Sequence, residues 1–246
     1  MKKFEGKVAV VTGGNSGFGY AAARELKEQG ARVVITGRRP EAVEEAARTL
    51  GVKGLVADQG SVGAIEKLVE QVKSEFSTVD ILFINAGVLG MSTIENAAEE
   101  VFDYVIDVNF KGAYFTLSRF IPLLNDGASV VFLSSNTASM SGAQSSIYSS
   151  SKAAINSVMK IAAIELAPRK IRVNAISPGP HETGILAKAG YDGEQLKGLK
   201  TWIIDQVPLR QMGKASDVAK MVTHLSSEEA SFITGAEWLI DGGMSL

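Results

Sequence analysis

The segment Tyr148-Ser-Ser-Ser-Lys152 places a phenol and an ammonium group four residues apart, in a chain with no cysteine and only two histidines. Residues at positions i and i+4 of a helix share one face, so both side chains can address one ligand. A free phenol has a pKa of about 10 and is a poor base at neutral pH, but a neighbouring ammonium group favours the phenolate and lowers that pKa. The pair therefore predicts Tyr148 as a general acid and base that depends on Lys152.

A second segment with clear chemical potential is TGGNSGFG at residues 12–19, which joins an apolar run to a helix-forming sequence. Glycines in such a turn let a pyrophosphate approach the helix N-terminus, where free N–H groups and the helix dipole favour anions. The spacing is G-x-x-x-G-x-G, which differs from the commoner G-x-G-x-x-G. Its position between a strand and a helix predicts a dinucleotide site. The predicted contact residues are Gly13, Asn15, Ser16, Gly17, Phe18 and Gly19.

The end of the next apolar run, VVITGRRP, bears on which dinucleotide is bound. An NAD site places a carboxylate there to accept hydrogen bonds from the adenosine ribose. This chain has Gly37 at that place, followed by Arg38 and Arg39, and its first acidic residue is Glu41. A 2′-phosphate then meets no repulsion, and an arginine can hold it through a charge-assisted fork. The segment predicts NADP(H) as the preferred cofactor over NAD(H).

Short apolar runs rich in Val and Ile alternate with longer segments of helical period, which implies right-handed crossovers and a parallel sheet. The runs lack strict alternation, as expected for strands buried on both faces. We predict a single-domain, Rossmann-like α/β fold over residues 1–246, a doubly wound parallel sheet with helices on both faces. The predicted strands lie in VAVVT, ARVVIT, GLVAD, DILFIN, SVVFLSS, IRVNAIS and EWLID.

One region departs from this alternation, because residues 178–212 carry Pro, Gly and isolated apolar residues without a strand pattern. A long insertion of this kind in a compact domain is more often functional than idle. We predict a substrate lid at about residues 183–207, and its apolar content favours a partly hydrophobic substrate.

Composition excludes several classes of function. The net charge of −2 and the scattered basic residues argue against a nucleic-acid partner. The N-terminus lacks the apolar core of a signal peptide, and no apolar run is long enough to cross a bilayer. The absence of cysteine suits a cytoplasmic protein and excludes thiolate chemistry. No group of carboxylates and histidines has metal-ligand spacing, so no catalytic metal is expected.

The ordered set of motifs resembles the short-chain dehydrogenase/reductase family over nearly the whole chain. The set comprises TGGNSGFG, the NAG at residues 85–87, Asn109 in VNFKGAYF, Ser135 after VVFLS, Tyr148 with Lys152, PG followed by Thr183, and TGAEWLIDGG. The resemblance implies that Lys152 also holds the nicotinamide ribose and that Ser135 donates a hydrogen bond to the substrate oxygen. It further implies that Asn109 anchors a water linking Lys152 to solvent.

The same resemblance implies further cofactor contacts and an assembly. Pro178, Gly179 and Thr183 would seat the nicotinamide carboxamide, and Asp58 would approach the adenine. The backbone of Asn85, Ala86 and Gly87 would support the adenine ribose. Family members are commonly homotetramers, or homodimers, built on the helices that contain Asn109 and Tyr148 and on the C-terminal strand.

These expectations describe an NADPH-dependent carbonyl reductase, which transfers hydride between a nicotinamide cofactor and a ketone, aldehyde or secondary alcohol. One alternative is a 3-oxoacyl carrier-protein reductase, which needs basic residues at the site entrance; Asp126 argues against it and Arg169 remains a candidate. Another is a sugar dehydrogenase, with Gln144 binding hydroxyls beside Ser135 and Tyr148. A nucleotide-sensing regulatory protein on the same fold is an alternative of a different class.

The two histidines have separate expected roles. His181 lies near the expected nicotinamide pocket, where it either touches substrate or stands on the surface of the lid. His224, on a late amphipathic segment, is expected to be structural.

Overall fold

Seven parallel strands form one sheet, and their positions confirm the strands predicted from the apolar runs. The structure, a computed structural model, describes residues 2–140, 142–184 and 192–246. The strands are β1 (Val8–Val11), β2 (Arg32–Gly37), β3 (Lys53–Val56), β4 (Val79–Ile84), β5 (Leu124–Leu133), β6 (Arg172–Pro178) and, later in the chain, β9 (Glu237–Ile240). They pair in the order β3-β2-β1-β4-β5-β6-β9. The order reverses direction between β1 and β4, and this is the point at which doubly wound sheets bind their ligands.

Helices connect the strands and cover both faces of the sheet. They are α1 (Gly17–Glu28), α2 (Pro40–Leu50), α3 (Val62–Phe76), α4 (Glu99–Ile106), α5 (Ala113–Phe120), α6 (Ser146–Leu166), α7 (Gly193–Gln206) and α8 (Ala215–Ser226). Short 3₁₀ turns occupy Ile121–Leu123, Asn136–Ala138, Ala167–Arg169 and Glu228–Ala230. None of the helices in the described part of the chain is both long and apolar enough to cross a bilayer.

The core consists of two apolar clusters, one on each side of the sheet. In β1, Val8 and Val10 belong to the cluster under α3, α5 and α6, whereas Ala9 and Val11 belong to the cluster under α1, α2 and α8. Successive side chains of a strand point to opposite faces, so each strand contributes to both clusters. This double burial explains why the strand sequences are apolar throughout.

A π-helical segment, Asp107–Gly112, joins α4 to α5. Gly112 packs so closely on the turn after β3 that a Cβ atom there would overlap the carbonyl oxygen of Gln59. Such π segments are rare and occur frequently at functional sites. Here the segment contains the buried Asn109.

The region of the predicted lid contains more regular structure than its sequence suggested. Strand β7 (His181–Glu182) pairs with β8 (Gly213–Lys214), so the expectation that residues 178–212 hold no strand was wrong. A two-residue strand has no hydrophobic period by which it could be recognised. Helix α7 fills the second half of the predicted lid and buries none of its residues. Residues 185–191 of that lid lie outside the described residues.

Candidate active site

The predicted chemical groups converge at the carboxyl-terminal edge of the sheet. Asn85 follows β4, Ser135 follows β5 by two residues, and Gly179 follows β6 directly. Parallel strands all end at the same edge, so residues distant in sequence meet there. Helix α6 carries Tyr148 and Lys152 one turn apart beside them.

Tyr148, Ser135 and Lys152 form one cluster. The Ser135 hydroxyl makes a hydrogen bond with the Tyr148 side chain, and it accepts hydrogen bonds from the backbone N–H of Thr137 at 3.2 Å and from its Oγ1 at 2.9 Å. The Lys152 Nζ donates to the carbonyl oxygen of Leu133 at 2.8 Å and lies 5.8 Å from the centroid of the Tyr148 ring. Thr137 therefore helps orient the serine, a role that the sequence did not reveal because a threonine after a strand is common.

The pKa of Tyr148 departs from the sequence expectation. Burial raises the pKa of the phenol above its usual range, and the hydrogen bond with Ser135 opposes this to a lesser degree. The lowering of this pKa expected from Lys152 was wrong. Its ammonium group is hydrogen-bonded to Leu133, and desolvation dominates in a buried site. Tyr148 is consequently a neutral phenol at pH 7, which suits a proton donor.

Lys152 is a lysine with only 3% of its surface exposed. Burial lowers its pKa to about 8, because desolvation disfavours the charged form. No carboxylate in the described residues forms an ion pair with it. A buried lysine that has a lowered pKa and no carboxylate partner is typical of functional sites.

Asn109 supports the loop after β4. Its Oδ1 accepts a hydrogen bond from the Val88 N–H at 2.8 Å, and its Nδ2 donates to the Val88 carbonyl at 2.9 Å and to Ser151 Oγ at 3.2 Å. A Cβ atom on Gly87 would lie 3.3 Å from Asn109 Oδ1 and 3.4 Å from Lys152 Nζ. Gly87 thus keeps open the space between the loop, the π segment and Lys152. The water-anchoring role of Asn109 stays a prediction.

The glycine segment forms the tight strand-to-helix turn predicted for a dinucleotide site. Gly13 and Gly17 adopt the left-handed region, with φ of +63° and +56°. A Cβ on Gly19 would clash with the Gly13 carbonyl oxygen and would lie 2.5 Å from Asn85 Nδ2. The backbone can therefore bend tightly in front of the N-terminus of α1, and the binding of a pyrophosphate at this turn stays a prediction.

Thr12 and Asn85 hold that turn in place. The Thr12 Oγ1 accepts hydrogen bonds from the N–H groups of Asn85 at 2.9 Å and Ala86 at 3.1 Å. The Asn85 Nδ2 donates to the carbonyl oxygens of Thr12 at 2.8 Å and Gly13 at 3.1 Å. The sequence alone did not single out Thr12, because its role depends on complete burial at the end of β1, and burial is known only from the structure. The Asn85 side chain is thereby committed to the glycine turn.

At the end of β2, the side chains nearest to Gly37 are the uncharged Asn15 and Val43. A Cβ there would lie 2.6 Å from Asn15 Oδ1 and 2.9 Å from Val43 Cγ2, so a larger residue needs both side chains to shift. Arg38 and Arg39 are both exposed, and Arg38 contacts Tyr104 of α4. Asp58 lies across from them after β3, where its Oδ1 accepts the Gly60 N–H at 2.9 Å.

The residues after β6 meet the glycine turn. Gly179 donates its N–H to the Ile240 carbonyl at 2.9 Å, and the added methyl of an alanine there would meet Asp241. Thr183 approaches Gly17, whose added Cβ would lie 4.0 Å from the threonine Cβ. His181 is buried, so of its two expected positions the surface of the lid is excluded, and contact with substrate stays a prediction. Its ring packs edge-on against Phe18 at 5.2 Å, which fixes the start of β7 against the turn.

Other predicted residues lie apart from this cluster. Gln144 is exposed, with φ of +67°, and its carbonyl oxygen accepts the Ser92 N–H at 2.9 Å. His224 lies 3.5 Å from Glu229, and its structural role stays a prediction. Within the described ranges, no three side chains that could ligate a metal come together.

Comparisons with known proteins agree over the full length of the chain. A family model described as enoyl-(acyl carrier protein) reductase matches residues 13–245. The chain is 36% identical to dehydrogenase/reductase SDR family member 4 of Homo sapiens, aligned over 96% of this chain and 87% of that protein. It is 32% identical to a versicolorin reductase of Emericella nidulans, with 98% and 96% covered.

Solved structures match equally well. A short-chain dehydrogenase/reductase from Serratia marcescens superposes with a TM-score of 0.91 at 31% identity, covering 99% of this chain and 100% of that one. A Brucella melitensis structure described as an SDR glucose/ribitol dehydrogenase has a TM-score of 0.92 at 30% identity, with 99% of both chains covered.

Proposed function

The chain belongs to the short-chain dehydrogenase/reductase family and is an NAD(P)-dependent oxidoreductase, and on that basis we propose that it reduces a ketone or aldehyde with NADPH. The observation that carries the proposal is the partly buried Tyr148 phenol, hydrogen-bonded to Ser135 beside Lys152. A bound nicotinamide cofactor supplies the hydride in this chemistry. The protein must supply a proton to the substrate oxygen and stabilise the charge that develops there.

Tyr148 is the proton donor in this proposal. Its raised pKa keeps the phenol protonated at neutral pH, and a protonated acid is what carbonyl reduction requires. Thr137 holds the Ser135 hydroxyl, which is hydrogen-bonded to the Tyr148 side chain. In the proposal the serine hydrogen turns from Tyr148 to the substrate oxygen that receives the Tyr148 proton. The two hydroxyl groups together polarise the carbonyl.

Lys152 and Asn109 support that step. The Lys152 ammonium stabilises the phenolate left after proton donation, and its position beside Gly87 suits a contact with the nicotinamide ribose. Asn109 holds the loop at Val88 and the hydroxyl of Ser151, so it keeps the wall behind Lys152 in place. A water-mediated path from Lys152 to solvent by way of Asn109 remains part of the proposal.

A substrate panel tests the proposed activity. Ketones, aldehydes and sugars are offered to the purified protein with NADPH and, separately, with NADH, and absorbance at the reduced-nicotinamide band is followed. Turnover of ketones or aldehydes supports the proposal. Turnover confined to sugars identifies a sugar dehydrogenase instead, and nucleotide binding without any turnover supports a sensor.

The 3-oxoacyl carrier-protein alternative loses its basic residue. Arg169 Nε pairs with Asp126 Oδ1 at 2.9 Å, and its other nitrogens donate to the carbonyl oxygens of Ile121 and Leu124. Its guanidinium is therefore committed to fastening the chain before β5. An acidic carrier protein could not use the Arg169 guanidinium without breaking these contacts.

The preference for NADPH rests on the end of β2. Gly37 carries no carboxylate, and the packing of Asn15 and Val43 around it leaves little room for one. Arg38 stands directly after it and is exposed to an incoming phosphate. A charge-assisted fork to a 2′-phosphate is among the stronger hydrogen-bond arrangements.

Replacing Arg38 with Ala should weaken the use of NADPH and spare that of NADH. Loss of a charge-assisted contact costs about 1.5–3 kcal/mol, so kcat/KM for NADPH should fall about 10- to 150-fold. Steady-state kinetics with each cofactor measure this, with Arg48→Ala, an exposed arginine on α2, as the control. A wild-type preference for NADH, or equal losses with both cofactors, would refute the assignment.

The segment from Thr183 to Val207 is proposed as a substrate lid. Helix α7 buries none of its residues, and Trp202 in it is exposed, so few contacts oppose its movement. Amide hydrogen exchange in this segment should slow when NADP and an inhibitor are added together. Exchange in β5 serves as the internal control, and unchanged exchange from residue 193 to 206 would make the helix fixed scaffold.

A homotetramer is the proposed assembly. Large apolar side chains are exposed on α6 at Ile161 and Ile164, on α5 at Tyr114 and on β9 at Leu239. Exposed apolar groups on ordered elements support burial between copies. They lie on the same helices and strand that the family uses for assembly.

A further inference from the structure

We propose that Tyr104 is a positioning residue for Arg38 and thereby a determinant of cofactor choice, an inference that rests on the proposed use of NADPH. The Arg38 Nη1 donates a hydrogen bond to Tyr104 Oη at 3.3 Å. The guanidinium carbon also lies 5.8 Å from the centroid of the Tyr104 ring. Two residues that are 66 positions apart in the chain thus meet at the end of β2.

The contact lies at the edge of the proposed adenosine site. Tyr104 lies four residues before Val108, across the junction of α4 with the π-helical segment. Val108 packs beside the turn after β3, where an added Cβ on Gly60 would lie 3.5 Å from its Cγ2. Asp58 belongs to that same turn and is the residue expected to approach the adenine. Arg38, Tyr104 and Asp58 therefore border one region.

Tyr104 is an uncharged partner, so it can hold the Arg38 guanidinium in place without neutralising its charge. Among the residues that the structure describes, Arg38 forms no ion pair, although α4 begins with Glu99 and Glu100. A carboxylate partner would compete with a phosphate for the guanidinium. A phenol and its aromatic face hold the guanidinium while leaving its charge uncompensated. Arg38 is thus restricted in conformation yet fully available to an anion.

The expected gain is one of preorganisation. Immobilising a long side chain on binding reduces affinity, and a side chain already held near its bound position avoids most of that loss. For one arginine the difference amounts to about 3- to 10-fold in affinity. The effect should apply only to ligands that carry the 2′-phosphate.

Binding of two small nucleotides to the purified protein tests this without any turnover. Adenosine 2′,5′-bisphosphate and adenosine 5′-monophosphate differ by the 2′-phosphate alone, and calorimetry gives the affinity of each. Tyr104→Leu should weaken the binding of the bisphosphate about 3- to 10-fold and leave the affinity for the monophosphate unchanged. Tyr104→Phe, which keeps the aromatic face, should lose less affinity for the bisphosphate. Phe102→Leu, at an exposed aromatic residue of the same helix α4, is the matched control.

A double variant shows whether Tyr104 acts through Arg38. In an Arg38→Ala background, Tyr104→Leu should cause no additional loss of bisphosphate affinity. An additional loss there, or an equal loss for both nucleotides, would overturn the positioning role. An unchanged affinity ratio in Tyr104→Leu would overturn it too. If the wild-type protein binds both nucleotides equally, the proposed NADPH preference fails first, and this outcome is distinct from the others.

Discussion

A Tyr148→Phe variant should retain the fold and nucleotide binding of the parent protein and lose nearly all ketone reduction. The substitution removes one oxygen from a ring packed at the start of α6, so the glycine turn and the sheet are untouched. A positioned general acid contributes about 10²- to 10⁴-fold to the rate, and the loss should lie toward the upper end of that range.

The measurements for this variant separate chemistry from binding. Steady-state ketone reduction gives the rate, and fluorescence titration with NADPH gives the affinity. Tyr114→Phe, which keeps the exposed ring proposed for the assembly and removes only its hydroxyl, should behave as the parent. Near-normal turnover in Tyr148→Phe would refute the proton-donor assignment.

A Lys152→Met variant should lose activity and also bind NADPH less tightly, because the proposed ammonium group serves both the phenolate and the ribose. The pH profile carries the sharper test. Lys152 has a pKa of about 8, so its ammonium form is present below that pH and is lost above it. The rate constant kcat/KM of the parent should therefore fall as pH rises through about 8.

Burial raises the pKa of the Tyr148 phenol above the ordinary 10.0, so this group titrates at higher pH. The alkaline limb of the profile, the fall of kcat/KM near pH 8, is therefore assigned to Lys152. That limb should vanish from the residual activity of Lys152→Met. Lys160→Met, at an exposed lysine on the same helix, should keep the parent profile. Survival of the limb in Lys152→Met would show that another group titrates there.

The stability of Lys152→Met should change little. Removing a buried amine relieves a desolvation cost, while the carbonyl oxygen of Leu133 loses its donor. An unsatisfied buried acceptor costs about 1–3 kcal/mol, and the two effects oppose each other. A melting temperature close to that of the parent would confirm that the lost activity reflects chemistry.

The parts of the fold that were predictable are those with a strong local pattern. The strand VAVVT is apolar because both faces of β1 are buried, and this signal survives without any neighbour. In α3 the residues Ile65, Leu68, Val69 and Val72 recur at helical spacing and are all buried. The pairing of Tyr148 with Lys152 likewise needed only the helical repeat.

Other features depend on partners that are distant in sequence. The pKa of Tyr148 is governed by burial, which results from the packing of the whole site and has no local sequence signature. Thr12 became a site residue only through its hydrogen bonds to the loop after β4, 73 positions away at Asn85. Strand β7 was missed because two residues define no period.

The π-helical segment Asp107–Gly112 limits how this chain can change in length. Tyr104 lies just before the segment and Asn109 lies inside it. One helical stretch therefore carries both the residue that contacts Arg38 and the residue that contacts Val88. Each residue turns the chain by about 100° in an α-helix and by less in a π-helix, so inserting or deleting one residue between them would rotate one end relative to the other. Either Arg38 or Val88 would then lose its contact. Exchange of this helix with a relative should therefore succeed only when the donor helix keeps the same spacing.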